Sequence, residues 1–243
     1  MPYRSSSQRA VTPQHRGRFP GFDVLDSVDS WDDVTAGVVL NRLAPTEEFA
    51  FFTPAEVAIA GPLLDLLLDQ DTDPRVPVLQ LIDGRLAAGE TDGWHYDELP
   101  EDAQAWRDTL RFLNDDAEAR YHGRSFAHLV RDEQAVLVQA VQDLNTEGNT
   151  WHDWPATHVW SLWTRYACTA FYSHPWAWNE IGFPGPAYPR GYLNPGVNTR
   201  ERWEVPDSGT EDSDVDPVQF ADRVERARRQ HARVLAEEGE GTT

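Results

Sequence analysis

Two short stretches gather side chains able to hold a metal or move a proton. WHDWPATHVW carries His152, Asp153 and His158, and SHPWAWNEI carries His174 and Glu180. Imidazole and carboxylate groups can ligate a cation or act as a general acid–base pair, but only at suitable spacing. Pro155 interrupts the first group, and its spacing fits no standard metal geometry, so capping and loop roles account for it. His122 and His128 flank a Gly-Arg turn and read as solvated. His174 closes a helical run just before Pro175, where a cation is favoured by the helix dipole. Acidic pairs such as Asp32-Asp33 and Asp115-Asp116 carry little information among 41 carboxylates. Asp116, Glu118 and Arg120 read as salt-bridging neighbours on a helix surface.

Other chemistry lacks its motif. There is no G-x-G-x-x-G turn, phosphate loop, G-x-S-x-G elbow or H-E-x-x-H pair, so the reading assigns no catalytic, cofactor-binding or metal residue. Cys168, the lone cysteine, excludes an intrachain disulfide and reads as a buried, inert thiol in an apolar helix.

Composition narrows the partners. The formal charge is −20, and every one of the 21 cations is an arginine. Such a field repels nucleic acid and anionic lipid, which argues against both as partners. Neither a signal-peptide core nor a membrane-spanning run stands out, Arg16 and Arg18 form no twin-arginine signal, and a cytoplasmic location is the expectation.

The elements that must position any site are helical. Residues 1–21 read as a flexible arm and 22–195 as a helical domain. Residues 196–216 read as an acidic linker and 217–243 as a charged C-terminal helix. Trp31, Val34, Val38, Val39 and Leu43 recur at helical spacing. Thr53, Pro54 and Glu56 form a capping box, and Gly61-Pro62 is expected to kink or restart that helix. Val78, Leu81, Ile82 and Leu86 share one face of the next helix, ended by Gly89. Trp106, Leu110, Leu113 and Ala117 form a buried stripe, followed by Phe126 and Leu129 and then by Val136, Leu137, Ala140 and Val141. Residues 155–174 form the last strong helix. The fold class is mainly α: an irregular helical domain with an extended Pro/aromatic-rich segment and flexible terminal arms.

That segment, CTAFYSHPWAWNEIGFPGPAYPRGY at 168–192, is the least ordinary feature. It holds seven aromatics, four prolines and three glycines, and past His174 it reads as too proline-rich for a helix. Three readings stand: a surface covered by another protein, a local core, or a ligand pocket.

FFTPAEVA, PVLQLIDGRLAAG, EQAVLVQAVQ and above all VWSLWTRYACTAFYSHPWAWNEIGFPGPAYPRGY resemble the gluconate 2-dehydrogenase subunit 3 family over about residues 45–195. The resemblance implies a non-catalytic small subunit that stabilises or matures a large flavoprotein. That partner would be of the glucose–methanol–choline (GMC) oxidoreductase type, holding FAD and oxidising a sugar or alcohol CH–OH group. Some such systems add a cytochrome subunit. By the same resemblance Tyr172, His174, Trp176, Glu180, Phe183, Tyr188 and Arg190 form a partner-facing or fold-defining patch; with Trp178 and Tyr192 they are the expected partner interface, with Trp176 and Trp178 as its anchors. The alternative is a stand-alone carbohydrate-binding or carbohydrate-active helical protein with an aromatic-lined pocket. A further option is a chaperone that leaves after flavin insertion.

Overall fold

The apolar stripes at helical spacing require helices that bury one face each, and the computed structural model shows how they meet. It describes residues 10–19, 21–44, 48–143, 151, 153–194, 196 and 199–205. His152, most of the acidic linker and the C-terminal helix expected at 217–243 lie outside the described residues. All described residues belong to one compact unit ending at Val205. Their helices are α1 (Asp33–Asn41), α2 (Pro54–Leu67), α3 (Val78–Ala87), α4 (Asp102–Arg120), α5 (Arg131–Gln142), α6 (Ala156–Tyr172) and α7 (Pro175–Ile181). Three 3-10 turns, at Pro13–His15, Val24–Ser30 and Phe126–His128, complete them. The described residues contain no strand.

The main core is built by α2 to α6. Trp106, Leu110 and Leu113 of α4 are fully buried against Leu63 of α2, Leu137 of α5 and Val159 and Trp163 of α6. The indole Nε1 of Trp163 donates to Thr109 Oγ1 at 3.0 Å, so this large ring is buried without an orphaned donor.

The cap signals act as the sequence implies. Glu56 N donates to Thr53 Oγ1 at 3.3 Å and Thr53 N to Glu56 Oε2 at 2.7 Å. Arg107 of α4 then grips Glu56 at 2.8 Å and the Phe51 carbonyl at 2.7 Å, fixing the start of α2 against α4. The buried carboxylate of Asp83 accepts from the main-chain N–H groups of Ala50, Phe51 and Phe52 at 2.7–3.0 Å. These bonds bring the stretch before α2 onto α3. At the end of α3 the Gly89 and Glu90 N–H groups bond back to Leu86 and Arg85 carbonyls.

Several expectations are corrected. α2 continues through Gly61-Pro62 as one helix and does not restart there, with Leu63 and Leu64 just past the pair buried in the core. On α5, Val136 is exposed and Val138 is buried, because α5 turns the 134–137–138–141 face inward. Asp116 is buried while pairing with Arg120 at 3.0 Å. Cys168 is exposed, since α6 sends the neighbouring Tyr166, Ala167 and Ala170 to the core instead.

Two larger corrections concern the aromatic segment and the arm. Residues 175–181 are helical rather than extended. Pro175 occupies the first helical position, where its missing N–H costs nothing, and His174 caps the turn. Residues 10–19, expected within a flexible arm, are tied to the fold, with Thr12 and Pro13 buried. The Gln14 side chain donates to the Asp69 carbonyl at 2.6 Å and accepts from Asp71 N and Thr72 N. Val11 accepts from Asn179 of α7 at 3.0 Å. The segment is a strap between α7 and the α2–α3 connection.

Candidate functional site

A second, smaller core sits beside the main one. Val24, Trp31 and Val39 close on Trp178 of α7, so the N-terminal residues and the aromatic segment share one cluster. Asn179 joins the halves with a buried bond, its Oδ1 accepting from Val24 N at 2.8 Å. Gly185 has a φ of +79° and presses on Trp31, where an added Cβ would lie 2.6 Å from the ring. Only glycine fits there.

The nine residues expected to meet a partner divide sharply. Trp178 is 5% exposed, and its Nε1 donates to the Tyr172 carbonyl at 2.6 Å. It is an anchor for this chain's own core. Trp176 is half-buried against the main core. His174 is 1% exposed and holds α7 by accepting from Trp176 N through Nδ1 at 3.2 Å. Burial pushes its pKa down to about 4, so it stands as a neutral cap at a helix start rather than a cation at a helix end. Its buried Nε2 makes no hydrogen bond of ordinary geometry, and the ring interacts with the Arg42 main chain.

Glu180 is half-buried, and burial raises its pKa against the opposing pull of Arg18 and Arg16. Arg190 ties loops together through Ser30 Oγ at 2.9 Å and the Pro184 and Pro186 carbonyls, and stacks over Trp203. Burial lowers its pKa. Tyr172, Phe183, Tyr188 and Tyr192 are exposed.

The sequence reading placed Val34 and Val38 on a helix with Val39 and did not single them out, and they are 77% and 51% exposed. The helix needs only Val39 for its core contact, and the i, i+4 spacing of the other two marks a separate stripe. Ile181 and Leu193 are also exposed. Among the described residues, Trp94, Val130 and Val136 are the exposed large apolar side chains outside α1, the end of α6, α7 and 183–193. Apolar side chains left in water are thus concentrated on the elements around the second core, the pattern of a surface that another protein covers.

An open groove of about 610 Å³ lies between the C-terminal ends of α1 and α6 and the middle of α3. Arg42 at the end of α1 donates from Nη1 to the Ser173 carbonyl at 2.8 Å and lies over the Trp178 ring. Burial lowers its pKa. Arg85 reaches the same groove but is paired with Asp92. Tyr166 is the one aromatic side chain lining it, and its hydroxyl donates to Asp102 Oδ2 at 2.7 Å. The aromatics of the 168–192 segment do not line this groove.

The other candidates take structural places. His158 stacks on Tyr96 with centroids 3.7 Å apart and lies 3.5 Å from Glu98. His128 Nδ1 bonds the Ser125 hydroxyl at 2.7 Å. Asp32 caps α1 by accepting from Thr35 N at 2.8 Å. Among the described residues no group of three or more His, Cys, Asp or Glu could hold a metal ion, and no helix is long and apolar enough to cross a membrane.

A family model described as "Gluconate 2-dehydrogenase subunit 3" matches residues 54–185, from the first residue of α2 through α7 and into the turn at Gly185. No curated protein and no solved structure matches the chain.

Proposed function

The chain belongs to the gluconate 2-dehydrogenase subunit 3 family, and on that premise we propose that it is the non-catalytic small subunit of an FAD-dependent oxidoreductase complex. The partner is a large GMC-type flavoprotein that binds FAD and oxidises a sugar or alcohol CH–OH group. This chain stabilises or matures it in the cytoplasm, and a cytochrome subunit is an additional partner in such assemblies.

The observation that carries the reading is the concentration of exposed apolar side chains around the second core, on a chain of a family named for one subunit of a dehydrogenase. The sequence carries no G-x-G-x-x-G turn or phosphate loop, which supports placing FAD in the partner.

Co-expression with the large FAD-binding subunit, followed by size exclusion, tests the proposal. The expected result is one peak carrying both chains and the flavin absorbance. Two separate peaks, with the large subunit stable and active alone, would refute it. Retention of the chain in the mature complex separates a subunit from a departing chaperone.

A further inference from the structure

Five arginines among the described residues are partly shielded from solvent: Arg42, Arg85, Arg107, Arg165 and Arg190. Arg85, Arg107 and Arg165 each have a carboxylate, from Asp92, Glu56, and Asp92 with Asp102 respectively. Arg190 uses its donors on one hydroxyl and two carbonyls, which explains it as a loop tie. Arg42 differs. It makes one hydrogen bond, to Ser173, and no carboxylate among the described residues lies within ion-pair distance. A guanidinium has five N–H donors. The Ser173 carbonyl at the end of α6 holds the cation through one Nη1 bond, and Arg42 lines the groove with donors to spare.

The surroundings of Arg42 are those of an interface. Val38 and Val34 lie one and two turns back along α1, both exposed. Tyr172, half exposed, stands next to Ser173 at the end of α6. Arginine and tyrosine are enriched among the residues that dominate binding energy at protein interfaces, and the exposed valines add apolar area for a partner to cover. The groove also selects by charge. Arg85 is paired with Asp92 and Glu90 also lines the groove, so among the described lining residues Arg42 is the one cation with no carboxylate at ion-pair distance. A carboxylate matches it, whereas a doubly charged phosphate would exceed it.

We infer that the large flavoprotein subunit docks on the α1–α6 face, with an aspartate or glutamate side chain of that subunit entering the groove to pair with Arg42. The inference rests on the small-subunit reading above and adds the contact surface and the chemistry of its central contact. Val34, Val38 and Arg42 lie outside the span matched by the family. This face therefore joins elements within that span to a helix specific to the rest of the chain.

The test measures affinity of purified wild-type and variant chains for the large subunit by titration calorimetry. R42Q and V38D are each expected to weaken binding about tenfold or more. V136D, on the far helix α5, should bind within about twofold of wild type. Wild-type binding with R42Q and V38D unchanged would overturn the inference while leaving the small-subunit reading intact. No binding by wild type would overturn both. Should R42Q fold poorly, V38D alone decides, because Val38 is exposed and its replacement disturbs no core. Stabilisation of the isolated chain by acetate in an Arg42-dependent way, with unaltered partner affinity, would mark a small-anion site and overturn the inference.

Discussion

Asn179 accepts the main-chain N–H of Val24 at 2.8 Å, across 155 residues of sequence, and the bond is buried. Its amide nitrogen donates to the Val11 carbonyl at 3.0 Å. One side chain on α7 therefore holds both the 3-10 turn and the N-terminal strap. Asn179→Ala leaves a buried N–H without a partner, which costs about 1–3 kcal/mol. Urea unfolding of the isolated chain should show that loss, and hydrogen exchange at Val24 should accelerate. Unchanged protection at Val24 would show that the strap and turn are held by packing alone.

Trp178→Ala should destabilise the isolated chain by about 3–5 kcal/mol, because the ring fills the second core and cannot be replaced by water without a cavity. Tyr188→Ala, at a residue 68% exposed, should change stability by less than about 0.5 kcal/mol. Thermal melts of the two variants check the contrast. Equal melting temperatures would mean that Trp178 does not anchor the chain's own fold.

His174 makes stability depend on pH in a defined window. Its folded pKa of about 4 lies below the ordinary 6.5, because burial opposes the charged ring. Above pH 6.5 both states are neutral and nothing is lost. As pH falls from 6.5 to 4 the unfolded chain takes up the proton first, and stability declines by up to about 3 kcal/mol. Below 4 this contribution levels off. His174→Asn keeps a capping side chain and removes the titration, so its stability between pH 6.5 and 4 should fall less steeply than that of wild type. Parallel pH profiles would exclude His174 as the source.

Asp83→Ala removes an ionised acceptor from three main-chain donors ahead of α2. Charged hydrogen bonds of this kind contribute about 1.5–3 kcal/mol each before compensation by water. A loss of at least about 3 kcal/mol in denaturant unfolding is expected, with faster proteolysis near residues 48–53. Asp83→Asn, which keeps one acceptor oxygen, should recover part of it. Full stability in Asp83→Ala would show that water replaces the carboxylate.

The helices were legible in sequence because each carries its own evidence. Thr53, Pro54 and Glu56 cap α2 from within four consecutive residues, and the 106–110–113–117 stripe needs only the period of a helix. Family membership was legible too, because the matched motifs are contiguous stretches. What a local pattern cannot carry is which of two apolar faces wins a core. Val34 and Val38 match the helical period as well as Val39, yet only Val39 meets Trp178, which lies 139 positions further along.

Pro175 was read as a helix breaker, although at the first position of a helix the missing N–H is harmless. His174 changed from expected cation to neutral cap because its charge state depends on burial that α6, α7 and Arg42 create together. The sequence alone determined the helical class, the family and the absence of familiar catalytic motifs, since these are properties of neighbouring residues. The tertiary structure decided which aromatics are core, which are surface, and that Arg42 lines a groove with no carboxylate at ion-pair distance from it. Those outcomes follow from burial and pairing between segments far apart in the chain, and no local spacing encodes them.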